Sequence, residues 1–180
     1  MRRFLLILMA ALPVAALAAC DSPTSIYGSP RIARDSAIFL RVPTSGGADA
    51  ASALDALTPA AVSPELPQFA GQWDFALRQS GSTFRLVTLD TGSPTSRPGI
   101  APRADDFYKI DEASRRRSEY SDSSVVITNG AAYTFRTRLR SSSCFSYGKM
   151  RVLSLNAATG TAQLDVLVNA NCGDERLADD

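Results

Sequence analysis

The chain has 180 residues, with 19 basic and 18 acidic side chains, a formal charge of +1 and no histidine. The near-balance gives no global attraction to nucleic acid, which is not expected as a partner. Without histidine, Ser-His-Asp and Cys-His catalysis, histidine zinc sites, facial-triad iron and histidine-ligated haem are excluded.

Arg2 and Arg3 precede the apolar run "FLLILMAALPVAALA". A charged n-region before a short apolar core reads as a secretory signal peptide over residues 1–19. It ends in "LAAC", residues 17–20, which resembles the lipobox of bacterial lipoproteins. That resemblance implies cleavage before Cys20 and lipidation of its thiol, so the membrane is a partner through Cys20. An ordinary signal peptide beside a chance cysteine is the alternative. The product is expected to be exported and held by lipid at a bacterial membrane, at the outer membrane or facing the periplasm.

Residues 20–35 read as a Pro/Ser/Gly-containing tether. Residues 36–180 read as one all-β domain with an ordered core at about 70–173. "SAIFLRV", 36–42, is a short strand. Residues 43–71 carry weak signals, with at most one short helix near "DAASALDAL". "GQWDFALRQSGSTFRLVTLD" alternates apolar and polar residues about a Ser-Gly turn and predicts a hairpin. "TGSPTSRPGIAPR" is too rich in Pro and Gly for a regular element. "DFYKIDEA" fits a strand. "SVVITNGAAYTFRTRL" has the strongest hairpin signature, with Asn129-Gly130 at the turn. "YGKMRVLSL" and "TAQLDVLVN" flank "NAATG" as a last hairpin, and "GDERLADD" reads as a polar tail. The total is about seven or eight strands in antiparallel hairpins, packed as a two-sheet or sandwich-like domain.

In an exported chain the pair Cys144 and Cys172 predicts a disulfide. If Leu155 faces Thr161, counting back along both strands brings the two cysteines opposite each other. Closing that loop stabilises the domain by roughly 3 to 4 kcal/mol in the chain-entropy model. Arg136, Arg138 and Arg140 alternate along one predicted strand. With Tyr133 and Tyr147 they are the candidate ligand or anion surface, against the simpler reading of a solvent-facing strand side. No metal site and no cofactor is expected. Asp105-Asp106 and Asp111-Glu112 lack an EF-hand spacing, and Ser146–Lys149 matches Ser-x-x-Lys without its companion motifs. Asp90-Thr91-Gly92 resembles the catalytic loop of aspartic proteases. One such aspartate needs a second from a homodimer, and a strand-ending turn uses the same residues.

Two further pieces resemble the HmuY-like proteins, exported haem-binding lipoproteins. "GQWDFAL" (Trp73, Asp74) is similar to their early strand. "AAYTFRTRL" with "YGKMRVLSL" (Tyr133, Arg136, Thr137, Tyr147, Lys149, Leu153) is similar to their C-terminal block. The resemblance implies a two-sheet β fold gripping a ligand, with haem as its cofactor under that reading alone. Family members hold iron with His or Met. Here Met150 is the one Met beyond the signal peptide, and Tyr108 or Tyr120 would have to substitute. The first expectation is therefore a non-catalytic envelope lipoprotein that binds an unidentified envelope partner or small ligand. A haem or small-ligand carrier and a homodimeric protease using Asp90 are the alternatives.

Overall fold

A computed structural model describes residues 28–47, 49–139 and 144–178. The signal peptide, Cys20 and half of the tether lie outside the described residues. Ten strands form two five-stranded antiparallel sheets. They are β1 (Ile32–Arg41), β2 (Ala53–Asp55), β3 (Ala60–Val62), β4 (Phe75–Ser80), β5 (Thr83–Thr88), β6 (Gly99–Arg103), β7 (Val125–Ile127), β8 (Ala132–Arg136), β9 (Tyr147–Asn156) and β10 (Thr161–Asn169). Sheet I runs β1-β10-β9-β8-β6 and sheet II runs β3-β2-β4-β5-β7. The domain is an all-β sandwich.

Alternation builds the core. Leu77, Phe84 and Leu86 of sheet II face Leu40, Phe135, Met150, Val152, Leu164 and Val166 of sheet I, all buried. Phe75 meets Phe135 across the sheets, edge to face, with ring centroids 5.7 Å apart. Each such side chain contributes about 1.5–3 kcal/mol on burial. Gly148 stands opposite Phe135 on β9, and a Cβ there would come within 2.1 Å of the Phe135 ring. Only glycine lets that ring lie flat on the strand.

Sheet I is covered on its outer face as well. Phe107, Ile110, Ala113, Tyr120 and Leu177 pack on Ala101, Ala132, Tyr147 and Leu167. The expected polar tail is therefore part of the domain: Asp174, Glu175 and Leu177 are buried, and the Leu177 amide donates to the Asp111 carbonyl at 2.7 Å. A sheet buried on both faces has no need of alternation, so "VLV" of β10, residues 166–168, is a continuous apolar run.

Several local expectations change. β1 starts at Ile32, inside the stretch read as tether. β2 and β3 form an edge of sheet II within 43–71. "GIAPR" is strand β6, because an edge strand tolerates Pro102. "DFYKIDEA" is instead a 3-10 turn, Phe107–Lys109, whose start Asp106 caps by accepting from the Tyr108 amide at 2.9 Å. Asn129-Gly130 does turn the chain, with Gly130 at φ +76°. Yet β7 pairs with β5 in sheet II and β8 with β6 and β9 in sheet I. The turn carries the chain between sheets and closes no hairpin, because turn chemistry fixes the bend and not the partners beyond it.

The β9–β10 hairpin does pair, but Leu155 faces Ala162, one residue away from the expected register. A bulge then leaves Leu153 without a partner and shifts the ladder by one, so Val152 faces Leu164 and Tyr147 faces Asn169. The bulge restores the expected register at the open end, where Cys144 and Cys172 form a disulfide with Cα atoms 5.7 Å apart.

Candidate functional site

The outer face of sheet I collects the basic side chains. β1 contributes Arg34, β8 Arg136, and β9 Lys149 and Arg151. The covering segment lays Phe107, Tyr108 and Tyr120 over them. Among the described residues, all seven contacts between a cationic group and an aromatic ring lie here.

Its centre is Asp165 of β10, almost fully buried. Arg34 donates Nε–H and Nη2–H to the two carboxylate oxygens, each at 3.0 Å. Arg151 donates from Nη2 to the same carboxylate at 3.3 Å and to the Tyr108 hydroxyl at 3.2 Å. Both guanidinium groups lie 5.0 to 5.8 Å from the rings of Phe107 and Tyr108. Two cations share one anion, so this cluster carries a net positive charge. Tyr108 is 58% exposed and forms its outward surface. Lys149 is buried. Its Nζ donates to the Ile110 carbonyl at 2.9 Å, which commits the lysine of the Ser-x-x-Lys match to anchoring the cover.

The second feature of this face is Arg136, the last residue of β8, with 3% of its surface exposed. Its guanidinium lies 4.5 Å from the Phe145 ring centroid and 5.8 Å from that of Tyr120. Among the described residues, its Nε and Nη2 have no hydrogen-bond partner. Burial, and then the charge of Arg117, hold the guanidinium pKa below arginine's ordinary value. Tyr120 is pushed up to about 12, by burial first and then by Tyr147.

Arg138 behaves differently, although it is only two residues further on. It leaves the outer face and joins the sheets. Nη1 donates to Asp74 at 2.7 Å and to Asp55 at 3.2 Å, and its amide donates to Asp74 at 2.6 Å. Asp74 is fully buried and also accepts from the Ala56 amide at 2.9 Å. Burial pushes the Asp74 carboxyl up, while the Arg138 charge and amide pull it down.

The arginine surface expected from the sequence is thus split. Arg136 and Tyr147 lie on the outer face. Arg138 is an inter-sheet tie. Tyr133 points into the core and donates from its hydroxyl to the Val126 carbonyl at 3.3 Å. Arg140 lies outside the described residues. Alternation was read correctly through Arg136, but the strand ends there. Arg34, Arg151 and Asp165 were missed, and Tyr108 was named only as a stand-in iron ligand, because four separate segments supply them.

Asp90 sits in a loop with its side chain 71% exposed, accepts from the Gly92 amide at 2.9 Å and pairs with Arg97 at 2.7 Å. Those donors, the Gly92 amide first, hold its carboxyl below the usual range. A catalytic dyad would need a second carboxylate close enough to share a proton, which a second chain would have to bring. Met150 is fully buried in the core between the sheets, away from any surface a haem could reach. A groove of about 470 Å³ is lined by Arg103, Glu112, Ser114, Arg115, Arg116 and Glu175. Its arginines are paired, Arg115 with Glu175, Arg103 with Asp105 and Arg116 with Glu119. No group of three or more metal-ligating side chains comes together among the described residues. Comparison with protein-family models, curated proteins and solved structures returns no match, so the site stands on its own geometry.

Proposed function

We propose that the chain is a lipid-anchored envelope protein whose β-sandwich is a non-catalytic binding module. The cover of sheet I around Tyr108, with Arg34 and Arg151 beneath it, is its binding surface. The observation that carries this reading is the concentration of arginine and aromatic side chains there, with exposed Tyr108 over Arg34 and Arg151. Tyr and Arg are the residues that dominate recognition surfaces, because each combines a rigid apolar body with directional polar groups. Attachment to the membrane rests on the "LAAC" stretch and Cys20.

The test places a photo-crosslinking residue at Tyr108 and, as control, at exposed Arg85 on sheet II, in intact cells. A discrete adduct from position 108 and none from position 85 is expected. Equal labelling from both would reject the assignment of this face. In the same cells Cys20→Ala should move the protein out of the membrane fraction, and persistence there would reject the lipid anchor.

A further inference from the structure

We propose that Arg136 is the floor of an oxyanion site, where its Nε–H and Nη2–H receive a carboxylate or phosphate group of a small ligand. The inference rests on the outer face being a binding surface and names the chemistry that face would take.

The argument starts from how arginine is used elsewhere in the molecule. Arg34 offers its Nε/Nη2 edge to Asp165, Arg97 to Asp90, and Arg176 to Asp174. Arg115 does the same to Glu175. The two parallel N–H groups match the two oxygens of a carboxylate or a phosphate. At Arg136 this edge is buried and donates to no acceptor among the described residues. A buried cation without a partner is among the most costly arrangements in a folded chain, because desolvation is offset by nothing. Aromatic contact with Phe145 and Tyr120 offsets part of it. It leaves the Nε and Nη2 groups without a hydrogen-bond acceptor among the described residues.

The neighbours set the packing and the charge around this edge. Gly99 is the cross-strand residue on β6; a Cβ there would lie 2.8 Å from the Tyr120 Cβ and 3.1 Å from Nε, so glycine lets both Tyr120 and Arg136 pack against the strand. Arg117 is close enough for its charge to act on Arg136. Asp122 pairs with Arg117 at 3.6 Å and acts on Arg136 in the opposite sense, yet it accepts no hydrogen bond from the Nε/Nη2 edge, which an incoming oxyanion would do. Arg117 is 44% exposed and is held by the Pro94 carbonyl, so it faces the solvent from which a ligand would arrive.

The experiment is thermal unfolding of the whole mature protein at constant ionic strength. Sodium benzoate and inorganic phosphate are the two probes, and sodium chloride is the control. Wild type should gain about 5–10 °C at a probe concentration a hundredfold above its Kd. Arg136→Lys keeps the charge but loses the fork, and should weaken the response at least about tenfold. Arg136→Met should fold and not respond. Benzoate above phosphate identifies a carboxylate ligand, and the reverse a phosphate. No probe-specific shift in wild type at millimolar concentration overturns the proposal. So does a shift that Arg136→Lys retains in full. Crosslinking at Tyr108 together with no oxyanion response would remove this inference alone; failure of both would remove the binding surface itself.

Discussion

Arg136 ends β8 and Arg138 follows two residues later, and both are buried, at 3% and 8% exposure. Arg138 is surrounded by acceptors and ties β2 and β4 to the end of β8. Arg136 has aromatic walls and no acceptor among the described residues. The difference separates two uses of a buried charge. A paired cation specifies how the sheets meet; an unpaired one waits for something outside the chain.

The largest expected effect comes from breaking the paired side. Asp74→Ala leaves Arg138 buried with a weakened partner set and should cost about 3–5 kcal/mol in urea unfolding. Adding Arg138→Met should return much of that loss, since an apolar pair replaces an orphaned charge. A double variant no more stable than Asp74→Ala would show that Asp74 acts through its backbone donors alone.

Next is the disulfide, which closes 28 residues and anchors Cys144 beside Phe145, the ring nearest Arg136. Replacing both cysteines by serine should cost roughly 3 to 4 kcal/mol. Unlike Asp74→Ala, it should also weaken any oxyanion response, by freeing one wall of the Arg136 site.

Asp174 and Arg176 are an intermediate case, a pair made within one short segment. Hydrogen bonds from the Arg176 side chain are the main cause that lowers the Asp174 carboxyl to about 2 from 3.8. The unfolded chain therefore takes up the proton first as pH falls. This contribution, about 1 to 2 kcal/mol, is complete above about pH 4 and disappears between pH 4 and pH 2. Asp174→Asn should flatten that part of the stability–pH curve, and an unchanged slope would assign it to other carboxylates.

The smallest effect is expected at Arg136. Arg136→Met should lie within about 1 kcal/mol of wild type, or above it, because no acceptor loses a donor. A loss as large as that of Asp74→Ala would mean that Arg136 has a structural partner after all, and the contrast would fail.

These contrasts also explain what could be read from the sequence. The Trp73–Leu89 hairpin was legible because its alternation matches a strand with one covered face. The disulfide was legible although the turn was misread by one residue, because the Leu153 bulge returned the register. β6 was hidden by Pro102, and the C-terminal segment by its charges, two of which are buried. Arg136, Arg138 and Tyr147 were singled out, but not their separate fates. The partners of Arg138 lie 64 and 83 residues away in sequence, and only the packing of two sheets brings them together. Periodicity marks which side chains share a face; it does not tell which face will be covered.

The most direct measurement is the ¹H–¹⁵N spectrum of the arginine Nε groups during titration with benzoate and phosphate. The account predicts that the Arg136 Nε–H signal moves and saturates while that of Arg34, already bonded to Asp165, stays in place. A titration in which Arg136 does not move, or in which both signals drift together without saturating, would contradict it.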